Sequence, residues 1–288
     1  MSEPKPAPAA SLLQRLREDR PLATVELRPP RTGLSSADTM ELWIDMYHSI
    51  QRLTRHDTII FLTDNAVGLS EEENLAHLTA NLAGDVATSR IVPFLTSKHS
   101  IEYCLMHASR AASYGFEALT VLGGDHTVGP PRCVPHAREL RALIRRRVPC
   151  LDLGGWANPH RPAAEQVDYL LDRRFEAEFY LTQVVSHHSV RAVEQFLTEA
   201  RRRGVTQPGV FGVFLYRSAN PDTLARLADF FPVPAAEITR EFDAGLTPEE
   251  ICAKTVRVLR EVGADKVYLS NLGFQGVETR YRRVLELL

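Results

Sequence analysis

Two carboxylates close two apolar runs in this chain. Glu26 lies near the carboxyl end of Ala23 to Leu27, a run that stops against Pro29 and Pro30, because proline donates no ladder hydrogen bond. Asp125 follows Ala118 to Leu122 through Gly123 and Gly124. An acid within an apolar strand is costly to bury unless it is paired or used. Pairing would fall to Arg28 or Arg31. Use would be proton donation near neutral pH, from a carboxyl whose pKa burial has raised. A second alternative concerns the glycines: Gly123-Gly124 can be only a tight turn, with Asp125 capping the next segment.

These acids need elements to position them. Thr58–Leu62, Ile91–Leu95, Ala118–Leu122, Cys150–Leu153, Phe179–Thr182, Gly209–Phe214 and Lys266–Ser270 read, with Ala23–Leu27, as strands. The continuous apolar runs among them mark strands buried on both faces. Helical patterns fall between them: Asp38–Arg52, Ser70–Leu82 behind a capping box, Ser100–Tyr114, Val134–Arg146, Ala163–Arg174, Ser189–Arg203, Pro221–Phe230, Pro248–Val262 and Val277–Leu288, with an inserted helix at Ala235–Phe242. Strands alternating with helices at roughly thirty-residue spacing give a parallel sheet. Eight such units most economically close into a (β/α)8 TIM barrel, and no Gly-x-Gly-x-x-Gly follows any strand to favour an open dinucleotide-binding sheet. Residues 1–20 are expected to be a disordered or loosely attached segment, and 21–288 one barrel that ends with its last helix.

In a TIM barrel the chemistry sits where strands end. Those positions hold Glu26, Thr63 and Asp64, Thr96, Gly124 and Asp125, Trp156 and His160, Gln183, Tyr216 and Asn271. Carboxylate and amide groups around an aromatic wall suit a flat, nitrogen-rich ring. His187-His188 has metal-ligand residue types, but adjacent helical residues point about a hundred degrees apart. One of the two is therefore expected to be solvated or capping, and no metal site is expected. Arg145–Arg147 and Arg201–Arg203 end helices, where cations complement the dipole.

Bulk composition narrows the classes. The 288 residues are 44% hydrophobic and 24% charged, with a net charge of −2. That leaves no basic footprint for nucleic acid and no apolar run that could span a bilayer. Cys104, Cys133, Cys150 and Cys252 are scattered, without a Cys-x-x-Cys, so reduced thiols and a cytoplasmic location are expected. A small-molecule partner is expected, and a homo-oligomer is left open.

Taken as a set, the mouth residues resemble the methylenetetrahydrofolate reductase family. Its Glu-Phe-Phe-Pro-Pro-Arg is similar to Glu26-Leu-Arg-Pro-Pro-Arg31, and its Leu-Arg-Gly-Asp to Leu122-Gly-Gly-Asp125. Its Tyr-Pro-x-x-His resembles Trp156-Ala-Asn-Pro-His160, and its sixth-strand Thr-Gln matches Thr182-Gln183. The resemblance implies a barrel that reduces 5,10-methylenetetrahydrofolate to 5-methyltetrahydrofolate at the expense of NADH or NADPH. It implies Glu26 as general acid, Asp125 as stabiliser of the 5-iminium cation, and Gln183 bound to the pterin or the nicotinamide. Thr96, Trp156, His160, Tyr216 and Asn271 would line the folate, and Thr63, Gly124, Trp156 and Gln183 the nicotinamide.

The departures concern the family's usual FAD. Gly123 replaces an Arg, Phe94 a His, Leu171-Asp172 a basic pair, and Leu272 an Arg; the aromatics after the Gln have become Val184-Val185. Arg173 and Arg174 follow closely enough that a small shift of alignment would restore charge. A carboxylate repels a diphosphate, so the chain resembles the family's flavin-independent branch, with FAD absent and hydride passing directly. The alternatives are an FAD-dependent reductase and a folate-binding barrel without catalysis.

Overall fold

The structure is a computed structural model, and it describes residues 10–30, 33–64, 82, 85–124 and 129–288. Eight parallel strands close in sequence order into one barrel: β1 (Leu22–Leu27), β2 (Ile60–Leu62), β3 (Ile91–Thr96), β4 (Ala118–Leu122), β5 (Asp152–Ala157), β6 (Phe179–Val185), β7 (Gly209–Phe214) and β8 (Lys266–Ser270). Around them run α1 (Leu12–Arg17), α2 (Ser36–Thr54), α3 (Ile101–Ser113), α4 (Ala137–Arg147), α5 (Ala163–Leu171), α6 (Val190–Arg203), α7 (Pro221–Ala228), α8 (Ala235–Asp243), α9 (Pro248–Glu261) and α10 (Val277–Glu286). Both faces of each strand are covered, which is why the strands read as unbroken apolar runs. The helix expected at Ser70–Leu82 lies outside the described residues except for Leu82, which is buried.

Side chains alternate between two cores. Ala23, Val25 and Leu27 of β1 point outward onto the helices, joining Met46, Ile50 and Leu53 of α2. Leu22, Phe61, Val92, Phe94, Phe179, Leu181, Val210 and Tyr268 fill the barrel interior. Glycine makes room for the largest of them. A Cβ at Gly154 would lie 2.6 Å from the Phe179 ring, and one at Gly212 would lie 2.5 Å from the Tyr268 hydroxyl.

This explains the main correction to the strand boundaries. The strand expected at Cys150–Leu153 stops before Gly154 and Gly155, yet both are strand residues, and β5 runs from Asp152 through Trp156 to Ala157. Similarly, β6 runs past Gln183 to Val185, with an irregular register against β7 between Leu181 and Val184.

The amino-terminal segment is also corrected in part. Ser11 caps α1 through a reciprocal capping box with Gln14, and Leu12 and Leu16 enter the interior cluster beside Leu22. Lys266 Nζ donates to the Arg20 carbonyl at 2.6 Å. Residues 10–20 therefore belong to the barrel and close its amino-terminal end. Among the described residues, no helix is long and apolar enough to cross a membrane.

Candidate functional site at the barrel mouth

The strand period carries Thr24 and Glu26 inward on β1, between β8 and β2. Val25 pairs with Leu269, so the next residues along, Glu26 and Ser270, face each other at the carboxyl ends of neighbouring strands. Ser270 Oγ donates to Glu26 Oε1 at 2.8 Å. Among the described residues, no cation is hydrogen-bonded to Glu26, and Arg28 acts through its field. Burial pushes the carboxyl pKa up, against smaller downward pulls from the Ser270 hydrogen bond and the Arg28 charge. The acid is thus protonated at higher pH than an ordinary glutamate, the state a proton donor needs. Ser270 was missed in the sequence, although the two-residue period at the end of β8 points to it.

Other residues complete the same layer. Thr96 ends β3 buried, with no partner for its hydroxyl among the described residues. Its amide donates to Asp64 Oδ2 at 2.6 Å. Thr63 extends the ladder by donating its amide to the Leu27 carbonyl at 3.0 Å. Trp156 is half-buried and packs on the interior cluster with Leu122 and Phe214. Gly124 has φ +73°, and a Cβ there would meet Lys98 Cγ at 2.8 Å, so glycine is required twice over. Arg132 lies over Gly123, 2.8 Å from the position of a Cβ, and donates to the Gly124 carbonyl at 2.5 Å. Asp125 lies outside the described residues.

The remaining candidates are committed to the scaffold. Gln183 accepts from the Val184 amide at 3.0 Å and donates to the Phe230 carbonyl at 3.2 Å, tying the segment after α7 to β6. His160 Nε2–H donates to the Val184 carbonyl at 2.9 Å. Asn271, in the left-handed region at φ 68°, donates to the Leu215 carbonyl at 2.9 Å and accepts from Arg217 at 2.9 Å. Tyr216 is buried with Leu224, Ile238 and Ile251 under α7 and α8.

A polar ladder that sequence reasoning left out leads from the mouth into α3. His99 Nε2 lies 3.1 Å from Asp64 Oδ2. The His99 and Tyr103 rings are 4.7 Å apart, and Tyr103 and His107 5.9 Å. His107 is buried, and neither ring nitrogen has a hydrogen-bond partner among the described residues. Burial lowers its pKa from 6.5 to about 4, with Asp64 pulling upward and His99 downward.

The folded chain therefore declines a proton that the unfolded chain takes. Stability is complete above pH 6.5 and falls as pH drops toward 4. Between pH 7.5 and pH 5 this group is expected to remove about 2 kcal/mol. His107→Leu should flatten that slope in urea unfolding; an unchanged slope would contradict the assignment.

No protein-family model matches the chain, and no curated protein sequence matches it. Solved structures do. An uncharacterized protein from Clostridium thermocellum that binds two copies of 5-methyl-5,6,7,8-tetrahydrofolic acid superposes with TM-score 0.66 at 12% identity, covering 96% of this chain and 100% of its own. The likeness is one of fold. A dihydrodipicolinate synthase from Oceanobacillus iheyensis reaches TM-score 0.49 at 9% identity over 93% of this chain and 77% of its own. At these identities, the site's own residues must carry any argument about chemistry.

Proposed function

We propose that this barrel reduces 5,10-methylenetetrahydrofolate to 5-methyltetrahydrofolate with hydride taken directly from NADH or NADPH. The observation that carries the reading is Glu26: a carboxyl at the end of β1, held by the Ser270 hydroxyl, with no hydrogen-bonded cation among the described residues, and raised in pKa by burial. Its neutral form has a proton to give. In the proposed reaction that proton goes to N10 as the bond from N10 to the methylene carbon breaks. The resulting 5-iminium cation accepts hydride at that carbon, leaving an N5-methyl group and an oxidised nicotinamide. Asp125 is assigned to stabilising the cation, and Trp156 to stacking on one of the two rings. Direct transfer requires the reacting carbons to approach to about 3–3.5 Å. The folate ligand of the Clostridium barrel supports the substrate class.

The residues do not fit a flavin diphosphate at the position that the resemblance indicates. Asp172 accepts from Arg174 at 2.8 Å and from Arg138 at 3.0 Å. Hydrogen bonds from Arg174 hold its pKa down to about 2, so a charged carboxylate already engages the guanidinium groups of Arg138 and Arg174. No step is derived through FAD.

The test is oxidation of NADH, and separately of NADPH, by the colourless purified protein with methylenetetrahydrofolate and no added flavin. Folate-dependent oxidation is expected with at least one nicotinamide. Turnover only after FAD is supplied would overturn direct transfer. A folate carrier without catalysis is a second reading, favoured by the Clostridium protein's ligand; it predicts folate binding with no oxidation under any of these conditions.

A further inference from the structure

We propose that His187, His188 and Glu241 form a binding site for a divalent cation of the zinc class, which clips α8 to the exit of β6. The two histidines lie on a 3-10 turn, His187–Ser189, capped by the Ser186 hydroxyl. His188 is exposed, in keeping with the expectation that one of the pair meets solvent, and both rings turn toward Glu241 on α8. His187 Nε2 lies 2.8 Å from Glu241 Oε1, and His188 Nε2 lies 3.3 Å from Glu241 Oε2. One ligand atom from each residue falls within 4.8 Å of the others. Zinc bonds of about 2.0–2.2 Å in tetrahedral geometry place donors about 3.4 Å apart, so the three groups must draw in slightly around an ion.

The hydrogen count at His187 favours a cation. Its Nδ1 is 2.8 Å from Thr255 Oγ1, and the Thr255 hydroxyl is placed to donate back within α9 to the Ile251 carbonyl at 3.1 Å. The single hydroxyl hydrogen is then used, so Nδ1–H donates to Thr255. A neutral ring in that tautomer turns a lone pair at Nε2 toward a carboxylate oxygen, a pair of acceptors that a metal ion or a second ring proton must bridge. An oxygen partner on the far nitrogen is also what orients metal-binding histidines generally.

The competitor is Lys254, whose Nζ reaches Glu241 Oε1 at 2.7 Å. Its side chain is 43% exposed, whereas those of His187 and Glu241 are 7% and 10% exposed. The ammonium can therefore swing into water and let a metal take over its charge. His188, 23% exposed, marks the wet side where a water completes the coordination.

The test titrates the untagged, chelator-stripped full chain with Zn2+ against a chromophoric chelator, and with Co2+ for its visible bands. One ion per chain is expected, lost in His187→Ala and in Glu241→Gln. Thr255→Val should bind about tenfold more weakly, because the ring orientation is no longer fixed. Lys254→Met, which removes the competitor, should bind more tightly. Circular dichroism checks that each variant is folded. Absence of stoichiometric binding, its retention in a folded His187→Ala/Glu241→Gln double variant, or weaker binding in Lys254→Met would each overturn the site in favour of a plain hydrogen-bonded network.

Discussion

Replacing Glu26 by glutamine is expected to lower kcat for methylenetetrahydrofolate reduction by about 10²–10⁴-fold, the usual worth of a positioned general acid. Folate binding should change little, because glutamine keeps an acceptor for Ser270 Oγ. Under the proposed function the protonated form is the active one, so the wild-type rate should fall as pH rises through the raised Glu26 pKa, and the residual rate of the variant should lose that dependence. Stability runs in the same direction. A carboxyl whose folded pKa is raised contributes stability that is complete below its unfolded pKa and lost as pH rises through the folded value. The variant should therefore melt no earlier than wild type at neutral pH, so that lost turnover cannot be blamed on unfolding. Steady-state kinetics with thermal melts across pH decide the matter; near-normal turnover would remove Glu26 from its assigned role.

The second large effect is one of stability. Arg141 on α4 is fully buried. Its guanidinium donates to the Phe175 carbonyl at 2.7 Å, the Val121 carbonyl at 3.0 Å and the Tyr169 hydroxyl at 3.1 Å. It also lies 4.8 Å from the centre of the Phe175 ring. That ring presses on β5, where a Cβ at Gly155 would approach it to 2.4 Å.

Arg141→Met keeps the aliphatic bulk but strands two buried carbonyls and a hydroxyl. A loss of about 3–5 kcal/mol is expected. In a chain this long that amounts to a fall in Tm of about 10 °C. Arg141→Lys should recover only part of it, because an ammonium lacks the planar fork. Urea unfolding of the two variants measures this, and a methionine variant within about 1 kcal/mol of wild type would show that the charge costs as much to bury as its hydrogen bonds return.

Which of these residues could be read beforehand follows from physics. Strands β4, β7 and β8 were legible to the residue, because each is a compact apolar run between turn residues. Glu26 was legible because two prolines fix where its strand stops. Strand β5 was expected to end at Leu153, because glycines offer no side chain to mark a strand, while Gly154 and Gly155 are there to admit the rings of Phe179 and Phe175, distant in sequence. Arg141 sits among other arginines on an amphipathic helix, where a charge usually means solvent, and nothing local marks it as buried. The group on which His187 and His188 converge was hidden for a related reason. Spacing along one element says where each side chain starts, but Glu241 arrives from an insertion more than fifty residues later.

The two tryptophans have a consequence of an optical kind. Trp43 is buried on α2 against the outer core, whereas Trp156 is half-buried on β5 at the open end of the barrel. The molecule thus carries its own emitter where a ring-shaped ligand would arrive, and a shielded reference in the wall. A reduced nicotinamide absorbs in the region where tryptophan emits, so occupancy of the mouth can be followed by energy transfer from Trp156, on the unlabelled chain and without waiting for turnover.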